Sequence, residues 1–261
     1  MYGLIAGIQS FSFRFARPAT TINYIPALKP YYEDNLVTIY HGDCGDVLPS
    51  LPDVQLIIAD VPYSFGLNSQ DNGASWGDLM NAAQVYNGWL REFRRLTAAQ
   101  KGAAWVFNSW RSFPVLARGA NDAQWPITSL MVWDKGRMGA GPLRGLRPRY
   151  ELCALFMHDG FKIQNRRLTD IWQETLPHRK PTGHKSEKPV SLISRIISES
   201  GSKLVLDPFI GSGTTAVAAK QLGVKCIGIE IEEKWCEVAA KRAAAAKISA
   251  SDENYTSGIK S

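Results

Sequence analysis

"LVLDPFIGSGTTAVAAKQLGVKCIGIEIEEKW", residues 204–235, holds a full strand–turn–helix–strand unit. An aliphatic run closes on Asp207. Gly211 and Gly213 then let the backbone turn sharply and come close to a ligand without Cβ interference. A helix is expected to begin at or near Thr214, and its first turn presents N–H donors and a partial positive charge. The helix closes near Gly223, and a second aliphatic run ends on Glu230, nineteen positions after Gly211. A carboxylate at that distance, on the tip of the neighbouring strand, stands where ribose hydroxyls are gripped. The turn Gly211-Ser212-Gly213-Thr214-Thr215 lacks the third glycine of a dinucleotide loop, which argues against a nicotinamide dehydrogenase. No Gly-Lys-Ser/Thr follows either, so it is not a P-loop.

The rest of the chain repeats this rhythm. Seven apolar runs read as buried strands: 36–41, 54–60, 103–108, 127–134, 151–158, 203–207 and 224–230. Helical spacing or strong helix formers mark 78–96, 188–200, 213–223 and 232–246. Strands alternating with helices predict an α/β fold, doubly wound around a mostly parallel seven-stranded sheet. Two stretches break the pattern, 134–150 and 159–188. Both are basic, rich in Gly or Pro and without periodicity, as functional loops or insertions are.

"IIADVPYSFG", residues 57–66, poses a chemical question. A buried run ends on Asp60, followed by Val61, Pro62 and Tyr63. A carboxylate in that place must be solvated, paired or used.

Read together, these stretches resemble the amino-group DNA methyltransferases that use S-adenosylmethionine. "DPFIGSGTT" looks like their cofactor loop, and "DVPY" like their D-P-P-Y catalytic motif. "GHKSEKPVSLISRII" is similar to the segment that precedes the cofactor loop. "YHGDCGDVLPSLPD" and "RPRYELCALF" resemble two further family strands. The matches run in order from residue 36 to about 242, with the catalytic motif before the cofactor loop, as in the β group. The resemblance implies a Rossmann-like methyltransferase fold with a small basic target-recognition insertion. It also implies a prokaryotic or phage origin in restriction–modification.

The chemistry such a motif must perform accounts for its residues. An exocyclic amino group delocalises its lone pair into the ring and attacks poorly. Two acceptors, the Asp60 carboxylate and the Val61 carbonyl, can each take one N–H and turn the lone pair toward an in-line methyl group, while Tyr63 stacks on the base. No covalent nucleophile or metal is required. Val61 stands where the family has proline; the main-chain carbonyl survives, but the rigidity of the ring is lost. The target base must leave its duplex, at a cost of a few kcal/mol. Grip on the flanking phosphates is expected from Arg137, Arg144, Arg147 and Arg149 in one basic loop and Arg166, Arg167, Arg179 and Lys180 in the other.

For the cofactor, the resemblance implies Asp43 near the adenine end, Phe209 packed against the ligand, and Ser186 and Lys188 near the methionine end. These add to Asp207, Gly211, Ser212, Gly213, Thr214 and Glu230. Asp60 resembles adenine-specific members, so N6 of adenine is the expected target. N4 of cytosine is the alternative, and a protein that binds cofactor and DNA without turnover is a third reading, motivated by Val61.

Bulk properties frame these expectations. A net charge of +6 favours a polyanionic partner such as double-stranded DNA. Four scattered cysteines without C-x-x-C spacing predict free, mostly buried thiols and a reducing, cytoplasmic setting rather than a metal site. The tryptophans at 76, 89, 105, 110, 133 and 172 read as core or interface packing. No apolar run reaches the ~20 residues of a membrane span, and the first residues lack a basic region of secretory type. The expected partition is an extension (1–35), a catalytic half (36–158), a target-recognition segment (159–187), a cofactor-binding half (188–247) and a tail (248–261). The oligomeric state is not legible, and a homodimer stays open.

Overall fold

A computed structural model of the chain describes residues 29–62, 76–138, 146–175, 182 and 187–249. All seven expected strands form: β2 (Val37–His41), β3 (Leu56–Asp60), β4 (Ala103–Asn108), β5 (Ser129–Asp134), β6 (Tyr150–Met157), β8 (Leu204–Asp207) and β9 (Lys225–Glu230). Two short edge strands, β1 (Tyr32–Glu33) and β7 (Ile171–Gln173), bring the sheet to nine strands among the described residues, in the order β1-β2-β9-β8-β3-β4-β6-β5-β7.

Neither added strand is long enough to carry an alternating pattern of its own. β1 exists because Asp34 folds the chain back, its Oδ1 accepting the N–H groups of Leu36 and Val37 at 2.9 and 2.8 Å. It brings residues assigned to an extension into the sheet. β7 is anchored by Trp172, whose ring packs 5.5 Å from that of Trp105 and carries the Arg195 guanidinium 4.3 Å above it. The sheet is mostly parallel. Only β1 against β2 and β6 against its neighbours β4 and β5 run antiparallel.

β3 and β4 are apolar along their lengths because both faces are covered. On one face lie α4 (Val190–Ser200), α5 (Thr214–Gln221) and α6 (Glu233–Ala245), packed over Ile58, Phe107 and Leu155. On the other lie α1 (Cys44–Val47), α2 (Trp76–Ala98) and α3 (Phe113–Asp122), over Ile57, Ala59 and Val106. Helix α3 escapes a reading by composition, since Gly119 and Asn121 are weak helix formers. It forms with Pro114 in its first turn and Val115, Leu116, Gly119 and Ala120 buried. A Cβ on Gly119 would stand 2.7 Å from Tyr86 Cβ, so the missing side chain is what lets α3 lie against α2. Trp89, Trp105, Trp133 and Trp172 are buried as expected, whereas Trp110 is 58% exposed just beyond β4.

All four cysteines are free and buried. No helix among the described residues is long and apolar enough to cross a membrane. The order of the strands places the site. β3 and β8 are neighbours, but the chain leaves β3 toward β4 on one side and β8 toward β9 on the other. Loops that diverge in this way open a crevice at the carboxyl ends of the strands.

Candidate active site

The crevice is a small, half-open cleft at the carboxyl ends of β3 and β8. Its walls include Asp60 from β3, Phe107 from β4, Asp207 from β8, Lys188 ahead of α4 and the loop 209–215. The glycine loop owes its shape to the two acids at the strand tips. Asp207 Oδ1 accepts the Phe209 N–H at 2.9 Å, and its Oδ2 accepts the Thr215 hydroxyl at 2.5 Å. Glu230 Oε2 accepts the Gly211 N–H at 3.0 Å, and Oε1 accepts the Glu232 N–H at 2.8 Å. Gly211 and Gly213 take φ of 50° and 86°, the left-handed region that glycine reaches without strain.

Burial outweighs these hydrogen bonds at Asp207 and pushes its carboxyl up to about 7. Burial likewise raises Glu230. An unfolded-chain aspartate ionises near 3.8, so between about pH 4 and 7 the folded chain keeps a proton the unfolded chain has lost. The folded state therefore binds more protons, and this group's contribution to stability falls as pH rises through that window. Asp207→Asn has no such proton to hold. Melting curves at pH 4 and pH 7 should show the wild type losing on the order of 4 °C or more relative to the variant over this interval; an unchanged difference would refute the assignment.

The loop is also clamped from the α6 side. Arg242 Nη1 donates to Ser212 O at 2.8 Å and to Ser212 Oγ at 3.1 Å, while its Nη2 pairs with Glu187 Oε1 at 3.0 Å. Thr182 Oγ1 donates to Glu187 Oε2 at 2.7 Å. Phe209 stands edge-on to buried Trp89, ring centroids 4.9 Å apart, so its ring is held at the cleft wall.

Across the cleft, the Lys188 side chain is 7% exposed and its Nζ lies 2.6 Å from Asp60 Oδ2 and 3.2 Å from Glu151 Oε2. Glu151 Oε1 takes Lys135 Nζ at 2.6 Å. Burial by itself disfavours the charged form of Lys188, but the Asp60 and Glu151 carboxylates hold the ammonium above the ordinary lysine value. Burial also opposes ionisation of Glu151, and Lys188 and Lys135 nonetheless keep it below the usual carboxylate range. Val61 is 2% exposed and joins the buried cluster of Val47, Tyr86 and Trp89. Its isopropyl group is thus immobilised by packing where a proline would be immobilised by its ring.

The residues singled out in the sequence divide as follows. Asp60, Lys188, Asp207, Phe209, Gly211, Ser212 and Thr214 line one cleft, and Gly213 and Glu230 shape its loop. Pro62 follows at the surface. Asp43 lies elsewhere on the same sheet edge, where its Oδ1 accepts the Gly45 N–H at 2.7 Å and caps α1. Tyr63, Ser186, Arg144, Arg179 and Lys180 lie outside the described residues.

The described arginines of the two basic loops are not brought together. Arg137, Arg147 and Arg149 belong to the β5–β6 connection at the carboxyl edge, with Arg149 forked onto Asp134 at 2.6 and 2.8 Å. Arg166 and Arg167 lie toward the opposite end of the sheet, because they enter β7, which runs parallel to β5. The adjoining Gln164 and Asn165 N–H groups bond to Glu199, at the far end of α4.

Glu151, Phe107 and Arg242 were not singled out by sequence reasoning. Only Glu151 left a trace, as the charge that opens the apolar run "ELCALF".

Comparison with known proteins agrees with this arrangement. Type II methyltransferase M2.MboI of Moraxella bovis is 29% identical over 255 residues, covering 82% of this chain and 91% of that protein. Type II methyltransferase M.HinfI of Haemophilus influenzae is 27% identical over 253 residues, covering 82% of this chain and 70% of that protein. Among solved structures, the M1.HpyAVI–SAM complex superposes with a TM-score of 0.62 at 24% identity, over 79% of this chain and all of that one. The cytosine-N4-specific PvuII DNA methyltransferase superposes at 0.72 with 17% identity, over 88% and 94% of the two chains. The family model described as DNA methylase, of the N6/N4 type, matches residues 54–241. With the glycine loop and the strand-tip acid Asp60 facing one cleft inside that span, the chain belongs to the N6/N4 DNA methylase family.

Proposed function

We propose that this protein transfers a methyl group from S-adenosylmethionine to the exocyclic N6 of an adenine extruded from double-stranded DNA. The observation that carries this reading is the position of Asp60, which shares a cleft with the Gly211–Thr214 loop and Phe209.

The residues suit the cofactor. Asp60 and Glu187 set carboxylates on the cleft wall, a favourable surrounding for a sulfonium cation. Phe209 offers an apolar face, and the start of α5 offers N–H donors to a carboxylate. S-adenosylmethionine supplies an electrophilic methyl group on sulfur. The protein's own part is positioning. Asp60 accepts one N–H of the amine and the Val61 carbonyl a second, so the lone pair turns out of conjugation toward the methyl group. Tyr63 is the stacking partner for the base. Lys188 holds Asp60 by Oδ2 and so orients the acceptor. Catalysis of this kind draws on orientation and on preorganised charge.

For DNA, the basic connection beside the cleft that carries Arg137, Arg147 and Arg149 is assigned to phosphate grip, with Arg144 in the same segment. The recognition segment (159–187) ends on Glu187, which lines the cleft. The halves 36–158 and 188–247 then supply catalysis and cofactor binding respectively.

Incubation with isotopically labelled cofactor and mixed-sequence duplex DNA, followed by nucleoside analysis, tests the proposal. Labelled N6-methyladenine is the expected product. Labelled N4-methylcytosine would transfer the same mechanism to the other base. Tight cofactor binding without label in either base would leave a binding protein and overturn the proposal.

A further inference from the structure

The catalytic stretch is tied to a charge system that none of its sequence motifs announces. Asp60, Lys188, Glu151 and Lys135 alternate in sign along a continuous line of contacts, at 2.6, 3.2 and 2.6 Å. The inner members are withdrawn from water: Lys188 is buried, and Glu151 Oε2 has no solvent contact. A buried ammonium needs compensation, and a single carboxylate facing it would be bound as tightly as the local dielectric permits. Two carboxylates share this one.

Glu151 can play this part because of the sheet. It opens β6, which runs antiparallel between β4 and β5, so its first residues reach the carboxyl edge where β3 ends. The same edge brings Lys135, next after β5, onto the outer oxygen. The Phe107 ring lies 5.1 Å beneath the Lys188 ammonium and closes it off from below.

We propose that Glu151 is a positioning residue for methyl transfer: it takes part of the Lys188 ammonium, so that Lys188 anchors the Asp60 carboxylate through Oδ2 without neutralising it as an acceptor. The inference rests on the role given to Asp60 above. It accounts for an acid held at the head of a strand that is otherwise apolar and buried over most of its length. It also accounts for Lys135, a partly exposed cation that fixes the outer oxygen Oε1 at 2.6 Å and leaves Oε2 to Lys188.

Among the described residues, the groups facing Lys188 include Asp60 from β3, Glu151 and the Cys153 thiol from β6, and the Phe107 ring from β4. Asp207 from β8 and Glu187 line the same cleft, and Lys135 lies beyond Glu151. Of these, Asp60 and Glu151 hold the ammonium protonated against burial. Removing one of two such charges lets Lys188 lose its proton at a lower pH, by about one unit or more.

Glu151→Gln keeps the shape and removes the charge. In steady-state assays of the full chain, kcat should fall at least ~10-fold, with KM for cofactor and DNA within ~2-fold, since the altered group touches neither substrate. The alkaline limb of the kcat–pH profile should move to lower pH by about one unit. The ¹⁵Nζ titration of Lys188 in lysine-labelled protein should move with it, a readout that needs no turnover. Glu151→Asp, which restores the charge, should bring the alkaline limb most of the way back.

Wild-type kcat and an unmoved limb in E151Q would overturn the role. So would a loss of kcat with no movement of the limb or the lysine titration, the signature of a merely structural residue. If E151Q does not fold, Lys135→Gln at the partly exposed end of the line serves instead. It removes a positive neighbour, so the lysine titration should move upward, and a fixed or falling value would overturn the proposal. A wild-type protein that methylates neither base would sink the function proposed above and this role with it. An active wild type with an indifferent E151Q would sink only this one.

Discussion

Asp60→Asn should retain cofactor binding and lose methyl transfer by about 10²–10³-fold or more, the usual cost of removing a group aimed at charge or geometry that develops in the transition state. The amide keeps the volume but presents N–H donors where the amine needs an acceptor. It also takes one carboxylate from Lys188 Nζ, which stays 3.2 Å from Glu151 Oε2, so the buried ammonium keeps a partner and the fold should survive. Calorimetric titration with S-adenosylmethionine should give an affinity within a few-fold of wild type, because the cofactor loop takes its shape from Asp207 and Glu230 instead. Single-turnover transfer to duplex DNA supplies the other half. A variant that transfers within ~10-fold of the wild-type rate would remove Asp60 from the reacting centre and leave the mechanism without its acceptor.

Gly213→Val should be the most destabilising single change in the cofactor loop. At φ 86° the residue sits in the left-handed region, and an added Cβ would lie 2.7 Å from Ala239 Cα and 2.8 Å from Ala239 Cβ. Ala239 is fully buried on α6, so neither partner can move aside without disturbing the packing of α5 on α6. The left-handed conformation costs roughly 1–2 kcal/mol for a side chain. Overpacking typically adds about 1–3 kcal/mol. The sum, about 2–5 kcal/mol, is a large share of the ~5–15 kcal/mol that holds a domain together. Urea unfolding should show the midpoint fall accordingly, and cofactor affinity should fall with it because the start of α5 is displaced. Gly223→Ala is the control. Gly223 is also left-handed, at φ 65°, but an added Cβ there meets nothing within 4 Å. Its cost should be confined to the backbone term, and a G213V midpoint no lower than that of G223A would contradict the packing argument.

Much of the fold was legible because β3, β4, β8 and β9 are short apolar runs with a polar last residue, a composition that only a covered strand tolerates. Helices α2, α4, α5 and α6 announced themselves by spacing or helix-forming composition. β1 and β7 did not: strands of two and three residues have no periodicity to read, and tertiary contacts hold them. Helix α3 was hidden for a related reason, since its sequence contains weak helix formers that only packing on α2 makes acceptable.

The site divides along the same line. Asp60, Asp207 and Glu230 could be marked in advance because each ends a strand, and parallel strands end on a common edge. Asp43 ends no strand core; the structure gives its carboxylate to the Gly45 N–H as a helix cap, which the turn composition also allowed. Arg166 and Arg167 looked like companions of Arg137 and Arg149 because all lie in basic, aperiodic stretches. The parallel entry into β7 carries the first pair toward the other end of the sheet.

From its residues alone, then, the chain determined an alternating α/β architecture, the glycine turn with an acid on each flanking strand tip, and Asp60 at the tip of a buried strand. These are local properties, dictated by hydrophobic period, by backbone freedom at glycine and by the chemistry of neighbouring side chains. Tertiary structure decided that Lys188 serves Asp60 and that Glu151 and Lys135 stand behind it. It decided too that Val61 is fixed by burial and that Arg166 and Arg167 stand apart from Arg137, Arg147 and Arg149. Those relations depend on strand order and direction, which bring residues distant in the chain within 3.2 Å, and no local pattern encodes them.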